Sequence, residues 1–411
     1  MTATTDLVEE SGATGPGRHG LTEHSHGAGA PPPKSRAERP MSFDLADFPR
    51  PQGREEEWRF TPIAAMADLL DGEASTAHLT WTSEAPDCVE VAALAAGSPL
   101  LRSVPTPVDR PAALALANSD GAVHVRVPAR RSCERPAVLR LVGEPVPGAD
   151  GAPPRAWGHV VVELGDEAEA TVVLEHSGLA HYAAAVSVLV GDRARLTLVS
   201  VQDWADGAVH SAHVGVRMGR DARLRSTQVS LGGDLVRIVE TVEFTAPGGD
   251  ADLAGIYFAD EGQHLEHRLL VDHTVPHCRS NVVYKGALQG EQAHTVWVGD
   301  VLIRAAAEGT DTYELNRNLV LTDGARADSV PNLEIETGEI IGAGHASATG
   351  RFDDEQLFYL RARGIPEQEA RRLVVRGFFA ELVQRIGVDE IEERLITAIE
   401  AELERSIGSA G

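Results

Sequence analysis

One histidine stands alone in a segment of very small side chains. Residues 342–350 read GAGHASATG, and His345 is the only one of them that can titrate or bind a metal ion. Neutral imidazole is a competent iron ligand. The small neighbours would let a partner surface or a metal cluster approach the ring closely. A lone histidine is more often structural, so from the residues alone both interpretations stay open.

A second candidate metal site lies in HLEHRLLVDHTVPHC (264–278), which contains four histidines and a cysteine. Its last three candidates are His273, His277 and Cys278, and imidazole and thiolate ligands suit zinc or iron. If the segment is a strand, its first two histidines point to opposite faces, because side chains alternate along a strand. A proline also interrupts the strand between the last two histidines. The pattern therefore favours structural histidines beside a turn over a local metal site.

A third segment, TDTYELNRNLVL (310–321), places two asparagines around Arg317 before an apolar run. Asparagine can cap a turn or form a hydrogen-bonded ladder inside a stacked-coil protein. Arg317 could pair with Glu314 or Asp311. Turn chemistry and a surface ion pair are the simpler interpretation of these residues.

Motifs for nucleotide chemistry and for serine hydrolysis are missing from the sequence. It contains no GxxxxGK[ST] loop, no GxGxxG after a strand and no GxSxG turn. If the chain takes part in an ATP-driven process, we expect another protein to bind the nucleotide.

Composition and charge exclude several classes of protein. The chain has 411 residues, 43% hydrophobic and 24% charged, with a net charge of −25. This surface would repel nucleic acid and anionic membranes, and we find no membrane-spanning or secretory segment. The cysteines Cys88, Cys133 and Cys278 are widely spaced and form no CxxC pair. We therefore expect no disulfide framework, and a cytoplasmic location.

A repeat of turns and short strands predicts the fold of the central region. Four turns carry an alanine just before or at a strand start, and the spacings between these alanines are 26, 28 and 29 residues: Ala168, Ala194, Ala222 and Ala251. A unit that recurs in this way is typical of a β-solenoid, in which each coil stacks on the last and a small residue fits the tight corner. An ordinary β-sandwich is the alternative, and it needs no such period.

The layout along the chain has four parts. We predict a disordered extension over residues 1–40, a helical or irregular region over residues 41–125, the β core over residues 126–350, and a helical domain over residues 351–411. The last part is predicted to be helical because apolar residues recur at helical spacing. Two stripes carry this prediction: Ala370, Leu373, Val374, Phe378 and Leu382, then Ile391, Leu395, Ile399 and Leu403.

Several long motifs, in the same order, resemble the SufB/SufD family of iron–sulfur cluster assembly proteins. They are HTVPHCRSNVVYKG (273–286), TDTYELNRNLVL (310–321), ARADSVPNLEIETGEI (325–340), GHASATG (344–350) and DDEQLFYLRARGI (353–365), with REEEWRFTP (54–62) near the N-terminus. The resemblance is closer to the SufD branch than to the SufB branch. SufB members carry an assembly cysteine in the region of residues 316–318, and none occurs here. The EHEA pattern of SufB is also missing around His345.

The resemblance implies a fold, partners and a site. The fold is a right-handed parallel β-helix with helices at its C-terminus. SufD members are non-catalytic scaffolds that pair with SufB through the β-helix cores. They also bind the ABC-type ATPase SufC through the helical C-terminal region, in a SufB–SufC₂–SufD assembly. The histidine that matches His345 lies at the SufB interface, so His345 becomes a candidate ligand of iron or of a nascent cluster. That iron would be transient and shared with SufB, and no nucleotide would bind to this chain.

Two other functions remain as alternatives. One is a β-solenoid metalloenzyme that uses His273, His277 and Cys278. The other is a SufB-like homo-oligomer with a cluster on each copy, which the missing cysteine in residues 316–318 disfavours. A homodimer of the isolated chain is also compatible with the sequence.

Overall fold

The structure is a computed structural model that describes residues 39–409 apart from 73–74, 76, 145–152 and 353. Nearly all of the extension predicted for residues 1–40 lies outside the described residues. No helix in the part of the chain that is described is long and apolar enough to cross a membrane.

The core consists of two nine-stranded sheets that face each other. The first sheet contains, in spatial order, β1 (Thr80–Glu84), β4 (Ala137–Gly143), β6 (Glu169–Gly178), β8 (Arg195–Trp204), β10 (Arg223–Ser230), β12 (Asp250–Ala259), β14 (Arg279–Leu288), β16 (Asp311–Val320) and β18 (Gly342–Arg351). The second contains β17 (Arg326–Ile335), β15 (His294–Ile303), β13 (His264–His273), β11 (Leu235–Phe244), β9 (Val209–Met218), β7 (His181–Val190), β5 (Arg155–Leu164), β3 (Gly121–Val127) and β2 (Glu90–Ala95).

From β3 onward successive strands alternate between the two sheets, so each coil contributes one strand to each sheet. From β3 onward every pairing is parallel, and each strand pairs with the equivalent strand of the next coil. Only β1 and β2, at the first end, pair antiparallel. The predicted β-solenoid is therefore confirmed, because a sandwich would not link coils in this regular order.

The predicted corner alanines are confirmed in three of four turns. Ala168, Ala194 and Ala222 are almost completely buried and directly precede β6, β8 and β10. In each turn the residue before the alanine has a positive φ, between 53° and 60°. The fourth prediction is wrong in register: Ala251 lies inside β12 opposite Leu224, and Gly249 occupies the corner. In the next coil that corner holds Cys278, which directly precedes β14 and is fully buried.

Five helices lie outside the two sheets in the described chain: α1 (Ala67–Asp71), α2 (Arg110–Asn118), α3 (Asp354–Ala362), α4 (Glu367–Gln384) and α5 (Asp389–Ser409). Helix α2 packs against β5, β7 and β9 of the second sheet. Helices α4 and α5 bury a shared apolar face on the outer side of the first sheet. The predicted stripe of α5 is confirmed, since all four of its residues are buried. The stripe of α4 is shifted, because Phe379 is buried while Leu373 is 42% exposed.

The cysteines differ from the sequence expectation. Cys88 and Cys133 form a disulfide bond that links residues 45 positions apart. The bond joins the segment before β2 to the segment before β4, near the first end of the solenoid. Spacing alone could not predict this pair, because the proximity of the two residues depends on how the first strands fold back. Cys278 is the remaining free cysteine.

Candidate functional site

The solenoid ends in two strands that each lack a neighbour on one side. Strand β17 pairs only with β15, and β18 only with β16, so each is the last strand of its sheet. Most of their side chains are exposed or half-buried, whereas those of β13 and β15 are almost all buried. We call the surface formed by β17 and β18 the open end. Unpaired strand edges present free N–H and C=O groups that are suited to pairing with another chain.

His345 lies on β18 at the open end, and its side chain is exposed. In the parallel ladder between β16 and β18 its direct partner is Glu314. The preceding Gly344 lies over the ring of Tyr313, where an added Cβ would come within 3.3 Å of the ring. The small residues of this strand therefore leave the imidazole accessible from outside the coil.

Glu314 is buried directly beneath His345. Its side chain is 1% exposed, and within the described chain neither carboxyl oxygen has a hydrogen-bond partner. Burial, together with the nearby charge of Asp300, raises the pKa of Glu314 to about 8. Across the interior lies Gly299, where an added Cβ would be 2.7 Å from Oε1 of Glu314. The missing side chain of that glycine makes room for the carboxyl group.

The two asparagines of β16 form a polar ladder inside the coil, as one interpretation of the sequence predicted. Asn316 donates to the hydroxyl of Tyr257 at 2.8 Å, and that hydroxyl donates to Asn318 at 2.7 Å. Asn318 in turn donates to Oδ1 of Asn316 at 2.8 Å and to Oγ of Ser329 on β17 at 3.0 Å. The ladder thus couples the first sheet to the second in the last two coils.

The predicted pairing of Arg317 with an acidic neighbour is wrong. Arg317 is exposed, on the opposite face of β16 from Glu314. The carboxylate of Asp311 lies instead 3.3 Å from Arg279 on the neighbouring strand. Strand alternation explains why Glu314 is out of reach, since residues three apart in a strand point to opposite faces, while Asp311 is six residues away, roughly 20 Å along the strand.

His273, His277 and Cys278 do not converge on one point. His273 is buried at the end of β13, where its Nε2 lies 2.9 Å from Oγ of Ser280, and burial lowers its pKa to about 4. His277 is exposed in the following turn with a φ of 61°. Cys278 is buried and its thiol faces the carbonyl oxygens of Ala246 and Pro276. Among the described residues no group of three or more His, Cys, Asp and Glu side chains could hold a metal ion.

The other two histidines of that segment are structural. His267 is buried between the rings of Tyr257 and Tyr284, at centroid distances of 5.1 and 5.6 Å. Burial lowers its pKa to about 4, so its ring is neutral at pH 7. His264 points to the other face of the strand, as alternation predicted, and its Nδ1 lies 3.1 Å from that of His294.

A buried ionic cluster fixes the N-terminal segment on the second sheet. Glu266 accepts hydrogen bonds from Thr61 at 2.8 Å and from Arg268 at 2.5 Å. Burial would raise the pKa of Glu266, but the hydrogen bond from His264 and two neighbouring guanidiniums hold it well below its usual range. Arg237 pairs with Asp109 at 2.6 Å. The motif REEEWRFTP (54–62) therefore has a structural role, which sequence reasoning left unassigned.

The helical tail presents a second exposed surface. On α3, Phe358 and Tyr359 are 74% and 56% exposed, and Leu373 on α4 is 42% exposed. Exposed aromatic and aliphatic side chains of this size are typical of protein–protein contacts.

Comparisons with known proteins agree with these features. The family model for the SUF system FeS cluster assembly SufBD core domain matches residues 149–378. An iron–sulfur cluster assembly SufBD family protein of Mycobacterium tuberculosis is 55% identical over 370 residues, which cover 88% of this chain and 92% of the relative. A SufBD family protein of Mycobacterium leprae is 52% identical over 372 residues, covering 88% and 93%. The iron–sulfur cluster assembly protein SufD of Escherichia coli is 25% identical over 281 residues, covering 67% and 65%. The chain therefore belongs to the SufBD family of iron–sulfur cluster assembly proteins.

Proposed function

We propose that this chain is the SufD-type subunit of a cytoplasmic SufB–SufC₂–SufD complex, in which it is a non-catalytic scaffold for cluster assembly. The observation that carries the proposal is the open end, where an exposed His345 lies on one of two strands with unpaired edges. An imidazole in that position is accessible to a second subunit. Iron or a nascent cluster is the cargo, held transiently between the two subunits.

SufB pairs with the chain by adding strands to β17 and β18. Unpaired edges of both sheets end at the same surface, so one partner with the same two-sheet architecture can continue both sheets at once. Main-chain hydrogen bonds then supply affinity and side chains supply specificity. His345 contributes one ligand, and SufB contributes the rest, including thiolate. In the isolated chain the same surface allows two copies to pair.

The cysteine content supports a SufD-type role over a SufB-type role. The sequence has three cysteines: two are joined in a disulfide and the third is buried. None lies on β16 or β18, the strands next to His345. A chain with no thiol at the open end depends on its partner for sulfur ligands.

SufC binds to the helical tail and supplies ATP hydrolysis. The exposed apolar side chains of Phe358, Tyr359 and Leu373 form the docking surface. Because α4 is packed on the first sheet, a force applied to the tail by SufC reaches the same sheet that carries His345.

Co-purification tests the proposed partners. The tagged full-length chain is co-expressed with SufB-type and SufC-type subunits, and the stoichiometry of the isolated complex is measured by native mass spectrometry. We expect one copy of this chain, one SufB and two SufC. A chain that purifies only as a homo-oligomer bearing its own cluster would contradict the proposal and support the SufB-like alternative.

The variant His345→Ala tests the site within that complex. Because the side chain is exposed, the variant should fold and assemble, yet yield several-fold less cluster on reconstitution. The matched control is His277→Asn, which removes another exposed imidazole and retains a residue that tolerates the left-handed backbone. Equal cluster yields from wild type and His345→Ala would remove this residue from the mechanism, whereas a loss confined to His277→Asn would favour the metalloenzyme alternative.

A further inference from the structure

Glu314 is an exception among the buried carboxyl groups of the described chain. The others each accept a hydrogen bond from a side chain: Asp109 from Arg237, Glu240 from Ser226, Glu266 from Thr61 and Asp300 from Asn332. Glu314 is 1% exposed, as Glu240 is, yet both its oxygens lack a partner. An unsatisfied buried carboxyl group is costly, so its retention at this position calls for a functional explanation.

The position of Glu314 supplies that explanation. It belongs to the inward-facing row of β16, and His345 is its direct neighbour one strand further out. Neighbouring strands lie about 4.8 Å apart, a separation at which an imidazole and a carboxylate on adjacent strands can bind one metal ion between them. No further coil covers this row, because β18 is the last strand of its sheet.

The residues opposite the carboxyl group offer it no hydrogen-bond donor. Gly299 lies opposite and contributes no side chain, and its partner in the final coil is Pro331, which has no N–H to donate. Asp300, the nearest acidic group, is already paired with Arg39 and Asn332, and no side-chain cation of the described chain reaches Glu314. A cation is the ligand that these features fit.

We propose that Glu314 is a second ligand, beside His345, for a divalent cation bound at the open end. Nitrogen and carboxylate oxygen together suit Fe²⁺ and leave most coordination positions open. The chain alone offers two such groups there, in keeping with the lack of a complete three-ligand site among the residues described. The remaining ligands come from the second subunit. The identity of the cation as iron rests on the proposed function, whereas the pairing of Glu314 with His345 rests on geometry.

The test measures Fe²⁺ affinity of the complex of this chain with its SufB-type and SufC-type partners, anaerobically, by competition with a chromophoric chelator. Glu314→Gln keeps the shape of the side chain but cannot ionise to a carboxylate, and Glu314→Leu removes both oxygens. Each should weaken Fe²⁺ binding by about tenfold or more, since even supporting groups of metal sites contribute roughly 10–100-fold. Neither should lower the thermal midpoint, because no hydrogen bond of Glu314 is lost.

The matched control is Glu240→Gln, which makes the same change at a buried carboxyl group that already has partners. It should leave Fe²⁺ affinity unchanged. A second readout replaces Fe²⁺ with Co²⁺, whose visible spectrum should change in Glu314→Gln because an oxygen ligand is lost.

The outcomes separate this inference from the proposed function. If His345→Ala weakens Fe²⁺ binding and Glu314→Gln does not, Glu314 is not a ligand and the SufD-type role stands. If neither variant changes affinity, iron does not bind at the open end and the inference fails together with the assigned site. If Glu314→Gln and Glu314→Leu both weaken Fe²⁺ binding while Glu240→Gln leaves it unchanged, the carboxylate of Glu314 is a ligand.

Discussion

Lys285 on β14 and Glu381 on α4 form an ion pair between the helical tail and the first sheet, with Nζ 3.0 Å from Oε2. Lys285 is buried and also donates to the carbonyl oxygen of Phe378 at 3.0 Å. Its ammonium holds the pKa of Glu381 below the usual range. The contact lies between the proposed SufC-binding tail and the sheet that carries His345.

The variant Lys285→Met should loosen the tail without unfolding the solenoid. It keeps the aliphatic stem and removes two hydrogen bonds, at a cost of about 1–3 kcal/mol. Hydrogen–deuterium exchange should accelerate in α4 and remain unchanged in β11 and β13. Glu381→Gln is the milder control, because Glu381 is exposed and surface ion pairs contribute little. Equal hydrogen–deuterium exchange of α4 in wild type and Lys285→Met would show that Lys285 does not hold the tail on the first sheet.

Variants at two exposed apolar residues should distinguish the proposed SufC interface from the proposed SufB interface. Phe358 on α3 and Ile341, just before β18, are 74% and 75% exposed, so aspartate at either position should not affect folding. Phe358→Asp should abolish co-purification of SufC and keep SufB, while Ile341→Asp should do the reverse. Loss of both partners in either variant would show that the two surfaces are not independent.

Acid should destabilise the isolated chain through its buried histidines. Burial lowers the pKa of His159, His176 and His213 to about 4. In the unfolded chain these groups bind protons below about pH 6.5, so the unfolded state gains protons first and stability falls as pH drops from 6.5 towards 4. Each histidine contributes at most about 3 kcal/mol to this loss.

Chemical denaturation between pH 7 and 4 measures the effect. His159→Gln, which can keep a hydrogen bond to Ser187, should show a shallower loss of stability. The exposed His78 is the control position, and His78→Gln should follow the wild-type profile. If the stability of wild type, His159→Gln and His78→Gln fell equally with pH, buried His159 would not be a cause of the acid destabilisation.

The corner alanines predict a sharp limit on side-chain size. Ala194 is fully buried where β8 begins, under the next coil. Ala194→Leu should cost about 1–3 kcal/mol, because extra methylene groups in a packed corner force backbone shifts. Ala251→Leu places the same change on a strand, opposite Leu224, and thermal unfolding of both variants shows whether the corner is the more restrictive position.

Thiol labelling checks the cysteine assignments. Burial raises the pKa of Cys278, so the native chain should react slowly with iodoacetamide. Denaturation without reductant should expose one thiol, and reduction should expose three. Three reactive thiols before reduction would show that Cys88 and Cys133 are not joined.

Local sequence patterns predicted the coils and the helices well. Turn-and-alanine repeats report a packing constraint that recurs in every coil, so Ala168, Ala194 and Ala222 could be placed correctly. The prediction for Ala251 was wrong because Gly249 fills the corner in that coil. The sequence alone does not show which of two nearby small residues faces inward. On α4 the stripe was shifted because Phe378 and Phe379 are adjacent, and the surface of the first sheet decides which of them is buried.

The site was only half visible in the sequence. His345 was recognisable as an isolated imidazole among small residues. The importance of Glu314 depends on Gly299 on the opposite sheet and on β18 being the final strand, and both relationships are created by coiling. The alternation of Glu314 with Asn316 and Asn318 along one strand was the available signal, since three polar residues in an inward row are unusual for a core.

The two ends of the solenoid are unlike, and this difference limits how far assembly can proceed. At the first end the short strands β1 and β2 run against the direction of the others and carry Glu84 and Glu90, paired with Arg140 and Arg126. The parallel stacking of the coils therefore stops at this end, whereas β17 and β18 continue it to the edge of the open end. If two subunits pair through β17 and β18, as proposed, neither subunit has a second surface of this kind, and we expect a closed pair instead of a fibre.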